Sequence, residues 1–523
     1  MKRDMDKKKF YILDMFPYPS GNGLHVGHCL GYIGTDIYAR HKKMGMNNEV
    51  FHPFGFDSFG LPTEQYAIKT GRTPQEITTE NISIFKKQLS ALDLDLNWEA
   101  EIITSEPKYY KWTQWIFLKL YNSWYNPITD KAEPIETCSH ADKENYRLAY
   151  QASVEVNWCE ELHTVLADAE VIDGKSERGG HPVERRKMFQ WFLRIAPYKK
   201  RLVGGLKDVV WVGKKVQINW IQDRLHDVAF SRQRKWGEPF PIYYAESNTV
   251  GVSEDSLPVL LKYTDGCSMR IEGEREYETD TMPSFAGSNW YFFRYLDANN
   301  ENFFCDKDKQ SAWLPVDVYV GGAEHTTGHV LYARFITKVL FDLGLSVVDE
   351  PFKKIINVGL MKGADGSKMS KSAGNSVRPD EMIEKYGSDA FRLWISFIAP
   401  FEQEKFWKED GLRGCAKFLV RFRRLFDNIV DEEIKEQVDM ARKISNAVEK
   451  DIEKFSFNTA VPRFMTFVNE MTKQEKVCRS ALVIVAFALH PFCPKLCHGL
   501  TSALAFKQVI DLVKYRKDME VKN

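Results

Sequence analysis

A Rossmann-like parallel α/β core, interrupted by an insertion and followed by an all-α bundle, is what the sequence predicts. Three observations predict it. Residues 10–16 form a short apolar run rich in strand formers, halted by Pro17 and Pro19. After a Gly/Ser/Asn turn, apolar residues recur at helical spacing from Val26. The strand and helix patterning returns after Trp290, and beyond about residue 410 almost every segment carries apolar residues at i, i+3/i+4.

The elements follow in order. The run at 10–16 opens a strand–loop–helix unit whose helix carries Val26, Leu30, Ile33, Ile37 and Tyr38. Residues 48–53 read as the next strand, entering the loop Gly55-Phe56-Asp57-Ser58-Phe59-Gly60-Leu61-Pro62. Residues 76–125 are mostly helical in pattern. From about 127 to 285, short strand-like runs at 154–158, 189–193 and 241–244 are broken by glycine and charge, as in an insertion. A strand at 316–320, a helix at 327–343 and a strand at 354–360 lead into a Lys/Ser loop. Helices at 415–429, 433–453, 460–471 and 478–487 complete the chain. The expected division is 1–126 and 286–409 for the two halves of the core, 127–285 for the insertion and 410–523 for the bundle.

Length and composition bound the class. At 523 residues the chain is too long for a single core. Hydrophobic residues at 44% and charged residues at 28% fit a globular protein. Lys+Arg and Asp+Glu both number 72, which excludes a generally basic surface but leaves room for a local basic groove. The nine cysteines are scattered with no Cys-x-x-Cys, so a reducing compartment is expected rather than a disulfide framework. The charged start lacks the apolar core of a signal peptide, and no run of 18 apolar residues exists. A cytoplasmic location with no membrane or DNA partner is the expectation.

Two clusters carry chemistry. His25-Val26-Gly27-His28 opens the first helix, and three-residue spacing sets both imidazoles on one helical face. A helix N-terminus favours an anion, and Gly21, Gly23 and Gly27 permit close backbone approach. This suits the phosphates and adenine of ATP, with the histidines stabilising charge on the α-phosphate. The pair also fits half of a metal site. Gly21-x-Gly23-x-x-x-Gly27 also fits a degenerate dinucleotide fingerprint, although its spacing misses Gly-x-Gly-x-x-Gly by one. The second cluster is Lys368-Met369-Ser370-Lys371-Ser372, between Gly366 and Gly374. Lysines between glycine hinges suit charge neutralisation of a leaving pyrophosphate, and an ordinary solvated loop is the competing reading. In this order the two clusters point to a site that activates a carboxylate with ATP.

The sequence resembles the class I aminoacyl-tRNA synthetases, and within them the leucyl enzymes. The His-x-Gly-His and Lys-Met-Ser-Lys-Ser signatures are both complete. Leucyl-like are Met15-Phe16-Pro17-Tyr18-Pro19-Ser20-Gly21, the loop from Gly55 to Pro62 and Ser231-Arg232-Gln233-Arg234-Lys235-Trp236-Gly237. So are Glu278-Thr279-Asp280-Thr281-Met282, Ser288-Asn289-Trp290-Tyr291 and Gly321-Gly322-Ala323-Glu324-His325. The resemblance covers roughly residues 10–500. It implies that His25, His28, Lys368 and Lys371 are catalytic, and that Gly21, Gly23, Gly27, Gly322, Glu324, His325 and Met369 help to hold ATP. Asp57 would bind the α-ammonium of leucine. Met15, Phe16, Ser288, Tyr291, Tyr319 and His329 would line a pocket for a branched aliphatic side chain. The implied reaction forms leucyl-adenylate from leucine and Mg²⁺-bound ATP and passes the acyl group to the 3′ end of tRNA(Leu).

The chain departs from that family in four places. Asn219-Trp220-Ile221, which normally precedes an editing domain, is followed after nine residues by Ser231. Nine residues cannot fold as a hydrolytic domain, so no post-transfer editing is expected. In the zinc-knob segment only Cys159 of four thiolates remains, so no structural zinc is expected. The usual N-terminal helix and C-terminal RNA-contacting domain are expected to be missing, a compact form. Lys417, Arg421, Arg423 and Arg424 form a basic stripe that suits phosphates or simply a solvated face. These losses leave open a paralogue that hands an aminoacyl-adenylate to an acceptor other than tRNA, or one that binds RNA without catalysis. A nicotinamide dehydrogenase is the third class.

Overall fold

The structure is a computed structural model that describes residues 3–19, 23–45, 47–166, 170–177, 179–213, 225–246, 248–261, 271–272, 275–322, 328–364, 366–367, 369 and 375–501. Of the expected site residues, Gly21, Glu324, His325, Lys368 and Lys371 lie outside the described residues, as does Asn219-Trp220-Ile221.

Strand β1 (Lys8–Asp14) is followed by helix α1 (Val26–Lys43), strands β2 (Asn48–Phe51) and β3 (Pro53–Phe56), and helices α2 (Leu61–Thr70) and α3 (Pro74–Ala91). Strand β4 (Asn97–Ile103) comes before helix α4 (Pro107–Tyr121). The expectation of a mostly helical 76–125 is corrected at β4. Its alternating residues Ala100 and Ile102 are buried, and it pairs in parallel with β3. Such a short alternating run is hidden between two strongly periodic helices.

The expected insertion holds long antiparallel strands, β5 (Ala149–Cys159) and β6 (Glu184–Leu193), and then β7 (Val210–Val212). Next come β8 (Val318–Gly322), α5 (His329–Asp342) and β9 (Lys354–Val358). Helices α6 (Pro379–Tyr386) and α7 (Ser388–Phe397) lead to α8 (Glu409–Arg424), α9 (Lys435–Glu453), α10 (Phe457–Met471) and α11 (Arg479–Leu489). Helix α8 begins six residues before the expected 415, where Glu409 and Asp410 supply the acidic first turn that a helix start favours.

The central sheet is parallel throughout, with strand order β7-β9-β8-β1-β2. The chain starts in the middle, goes to one edge with β2, and returns on the other side of β1 with β8. Strand order reverses there, and a crevice opens at the carboxyl ends of β1 and β8. Alternation along the strands builds a core on each face. Phe10 and Ile12 of β1, Val318 and Val320 of β8 and Ile356 of β9 join α1 and the helical bundle in one cluster. Tyr11, Leu13, Tyr319 and Ile355 point the other way and join α4, α5 and parts of the insertion. Each such side chain, fully buried, contributes about 1.5–3 kcal/mol, so a one-residue slip of register would be very costly.

Helix α1 is tied to the bundle by charge as well. Asp36, wholly buried, accepts from Arg392 at 2.6 Å and Arg40 at 2.8 Å. Arg392 also donates to the carbonyls of Leu92, Pro491 and Phe492. No helix among the described residues is long and apolar enough to cross a membrane.

Candidate active site

The crevice is lined first by the turn after β1. His25 is the N-cap of α1, with extended backbone (φ −110°, ψ 164°), and its Nδ1 accepts the Gly27 N–H at 3.1 Å. Three residues on, His28 Nδ1 accepts the His25 N–H at 3.3 Å. The ring centroids stand 4.0 Å apart. Because both Nδ1 atoms are acceptors, each neutral ring carries its proton on Nε2. The cap thus does more than begin a helix: it turns both rings into Nε2–H donors. Gly27 is required by close packing, since a Cβ there would lie 2.8 Å from the His25 ring.

The second signature adjoins the first. Val26 N–H donates to Val377 O at 3.0 Å, and a Cβ on Gly27 would sit 3.4 Å from Met361 Cβ. Met369, the described residue within the Lys-Met-Ser-Lys-Ser signature, is buried in the same apolar cluster as Val26, Leu30 and Met361. Val377 and Met361, on either side of the second signature, therefore adjoin the first turn of α1.

Across β1 lies an aromatic pocket. Phe16 and Tyr291 stack with centroids 4.2 Å apart and planes within 2°. The Tyr291 hydroxyl donates to Asp14 O at 3.0 Å. His329, the first residue of α5, stands 5.9 Å from both the Tyr291 and Tyr319 rings. Ser288 Oγ donates to Phe285 O at 3.2 Å and lies 3.4 Å from His329 Nδ1, which makes that nitrogen the donor. Met15 closes the wall: its N–H bonds Val320 O at 3.1 Å, and a Cβ on Gly321 would come 2.3 Å from its sulfur. Gly321 is thus the space into which Met15 packs, and Gly322 ends β8 beside it. Met15, Phe16, Ser288, Tyr291, Tyr319 and His329 are brought together.

Asp57 follows β3, its N–H bonded to Pro17 O at 3.0 Å, so its carboxyl sits next to the residue that follows Phe16. It is 2% exposed and takes a hydrogen bond from Thr104 Oγ1 at 3.3 Å. Burial pushes this carboxyl up to about 8, against only the hydrogen bonds of Thr104 and Tyr18. No cation among the described residues forms an ion pair with it. Glu238 is a second buried carboxyl nearby, raised well above its ordinary value by burial and, to a smaller degree, by Asp57. An ammonium group beside Asp57 would relieve this cost.

The leucyl-like motifs also meet in space. Glu64 Oε1 accepts the N–H groups of Lys235 and Trp236, Trp236 Nε1 donates to Ser58 O, and Phe59 and Trp236 rings lie 5.0 Å apart. Arg232 and Thr281 exchange backbone hydrogen bonds. The segments at 231–237 and 278–282 thereby brace the Asp57 loop from behind.

Sequence reasoning missed a buried set beneath the pocket. Asp14 ends β1, its carboxylate held by His52 Nε2 at 2.8 Å and Thr35 Oγ1 at 2.5 Å. An acidic residue inside an apolar strand was the available signal, but its partners are too distant in sequence to be paired by spacing. Cys159, the remaining zinc-knob thiol, is buried at the end of β5, its sulfur 3.9 Å from Glu161 Oε2. Among the described residues, no group of three or more His, Cys, Asp or Glu side chains is arranged to hold a metal ion.

A parallel sheet with a split nucleotide-type core, a capped histidine pair and a buried carboxyl beside an aromatic pocket define a carboxylate-activating enzyme class. Comparison with known proteins specifies it. The family described as tRNA synthetases class I (I, L, M and V) matches residues 1–408, and the chain belongs to this family. A leucine–tRNA ligase of Cytophaga hutchinsonii is 30% identical over 820 residues, covering 97% of this chain and 89% of the relative. That alignment is longer than the 523 residues here, so several hundred residues of the relative have no counterpart. Among solved structures, the ternary complex of Agrobacterium radiobacter K84 agnB2 LeuRS with tRNA and LeuAMS superposes with a TM-score of 0.82 at 26% identity. It matches 96% of this chain and 86% of that one. A methionyl-tRNA synthetase of Mycobacterium tuberculosis bound by methionyl-adenylate superposes with a TM-score of 0.67 at 17% identity, over 94% and 93% of the two chains, a likeness of fold alone.

Proposed function

We propose that this chain is a leucine–tRNA ligase. It activates leucine with ATP to leucyl-adenylate and transfers the acyl group to the 3′ end of tRNA(Leu). The observation that carries this reading is Asp57: a buried carboxyl with no ion-pair partner among the described residues, bonded through its backbone to Pro17, the residue after the Phe16 ring that stacks on Tyr291. A neutral hydrophobic ligand would not need that carboxyl. A cationic amine on a small apolar side chain would. The relatives' names support leucine, and they do not favour a paralogue with a non-tRNA acceptor.

In the first step a leucine carboxylate oxygen attacks the α-phosphorus of ATP and pyrophosphate leaves. The Nε2–H donors of His25 and His28 stabilise the charge that gathers on the phosphoryl oxygens, and Lys368 and Lys371 that on the pyrophosphate. Gly21, Gly23, Gly27, Gly322, Glu324, His325 and Met369 are proposed to shape the ATP site. In the second step a ribose hydroxyl of the tRNA attacks the acyl carbonyl and AMP leaves. Mg²⁺ would accompany the ATP phosphates, with phosphate oxygens and water as its ligands. The proposed division into core halves (1–126, 286–409), insertion (127–285) and bundle (410–523) places the activation chemistry in the core. Absence of a post-transfer editing activity, and a cytoplasmic location, belong to the same proposal; the cysteines among the described residues are free and buried, which supports a reducing compartment.

The test is ATP–pyrophosphate exchange across the twenty amino acids, followed by charging of a tRNA(Leu) transcript. Leucine-dependent exchange and charging are expected. Exchange driven by another amino acid, or exchange without charging, would overturn the substrate or the acceptor respectively.

A further inference from the structure

Helix α3 packs Ile82, Phe85 and Leu89 in one apolar cluster with Leu24 and Phe56. Two amide side chains of the same helix reach past that cluster to the backbone of the turn between β1 and α1. Asn81 Nδ2 donates to Pro19 O at 2.9 Å, and Gln88 Oε1 accepts the Leu24 N–H at 2.6 Å. Seven residues apart, they lie on one helical face two turns from each other. Both are buried, at 7% and 4% exposure, so neither is placed to meet a substrate directly. Between Pro19 and Leu24 lies Gly23 at φ +95°, and a Cβ there would come 2.4 Å from Gln88 Oε1. Glycine is required at 23 for its backbone angle and also to admit this carboxamide.

The other end of Gln88 points to the second signature. Its Nε2 donates to Asp380 Oδ1 at 2.5 Å. Asp380 sits in the first turn of α6, a few residues after the Lys-Met-Ser-Lys-Ser segment, and its second oxygen pairs with Arg378. A side chain of this length that accepts at one atom and donates at the other must be an amide; a glutamate has no donor. The Val26 to Val377 backbone bond joins the same two segments.

We propose that Gln88 is a positioning residue that fixes the two signature segments relative to each other, through Leu24 on one side and Asp380 on the other. It thereby sets the geometry of the ATP held between them. This rests on the reading of those segments as the two halves of one ATP site.

The experiment is leucine-dependent pyrophosphate exchange at varied ATP and varied leucine, with thermal melts. The proteins are the unsubstituted chain, Gln88→Leu, Gln88→Glu and the double variant Gln88→Glu/Asp380→Asn. Gln88→Glu keeps an acceptor for Leu24 but sets two carboxylates against each other. Its kcat/KM for ATP should fall about tenfold or more, with KM for leucine within about twofold. The double variant restores a donor–acceptor pair in reverse and should recover to within about threefold. Normal kcat/KM for ATP in Gln88→Glu and Gln88→Leu overturns the inference. So does a loss that follows the melting temperature, moves both KM values together and is not rescued. Should Gln88→Glu fail to fold, the ATP-selective loss in Gln88→Leu decides alone. An unsubstituted chain with no leucine-dependent exchange instead overturns the functional reading on which the inference rests.

Discussion

Asp57 makes the most demanding prediction because its environment sets a pH dependence that few sites would share. In the ligand-free protein burial raises this carboxyl from 3.8 to about 8. At pH 7 roughly one site in ten is therefore ionised, at pH 8 about half, and at pH 6 about one in a hundred. Only the ionised form offers a full charge to the leucine ammonium, so apparent affinity scales with that fraction. The leucine dissociation constant should fall about fivefold from pH 7 to 8 and about tenfold from pH 6 to 7. Asp57→Asn removes the charge and leaves the shape. Leucine binding should weaken by about tenfold or more and lose this slope, while ATP binding changes little. Calorimetry or exchange kinetics from pH 6 to 8 on both proteins reads it. A flat profile in the unsubstituted protein, or the same slope in Asp57→Asn, would refute the reasoning.

The same shift has a stability sign. A carboxyl raised on folding binds more protons in the native state, so between about pH 4 and 8 it lowers stability as pH rises. Saturating leucine supplies the missing cation. The ligand-induced rise in melting temperature should therefore be larger at pH 8 than at pH 6.

Other outcomes follow from single residues. Lys371→Ala should depress pyrophosphate exchange by about 10²-fold or more, as when one transition-state charge stabiliser is removed; near-normal exchange contradicts the role. Gly321→Ala places a Cβ 2.3 Å from the Met15 sulfur. The displaced Met15 should raise KM for leucine severalfold with KM for ATP unchanged, which exchange kinetics reads directly. Discrimination against an amino acid one methylene shorter should stay within about 10–200-fold, with no deacylation of mischarged tRNA(Leu); rapid deacylation by the purified chain would contradict the absence of editing. Asp36→Ala should cost about 3–5 kcal/mol by removing the carboxylate that pairs with buried Arg392 and Arg40, seen as a large fall in melting temperature.

Much of the architecture was legible because its signals are local. Proline stops after β1, helical spacing in α1 and the paired signatures all lie within short windows, and β1 and α1 form where those windows put them. The strand β4 was not legible: seven residues with two buried alternating side chains do not outweigh the strong helical periods on either side. The convergence of Phe16, Tyr291 and His329 was supplied by family resemblance, since Phe16 lies 275 or more residues from the other two and such a separation carries no spacing signal. Gln88 and Glu64 were invisible for a related reason. Each acts through a partner on another element, so a lone amide or carboxylate in an amphipathic pattern looks like surface until the fold buries it.

Helix α1 shows why site and bundle should respond together. Its first turn makes the two histidine donors, and its third turn carries Thr35, whose hydroxyl holds Asp14 beneath the pocket. The next residue, Asp36, a little over a quarter-turn round the helix, holds Arg392, which donates to the carbonyls of Pro491 and Phe492. Its last turn bears Arg40, His41, Lys42 and Lys43, favourable against the helix dipole, and His41 and Lys42 both contact Glu453 at the end of α9. That pairing holds Glu453 down at about 2, although its burial acts in the other direction. A depressed carboxyl contributes stability above its ordinary range and loses it as pH falls through that range towards 2. One helix thus ties the turn that carries the histidine pair to the bundle, through Arg392 at Pro491 and Phe492 and directly at Glu453. A displacement of the bundle, such as a bound RNA could impose, must either move the histidine pair or break a buried charge. Because the second costs several kcal/mol, the first is the easier response.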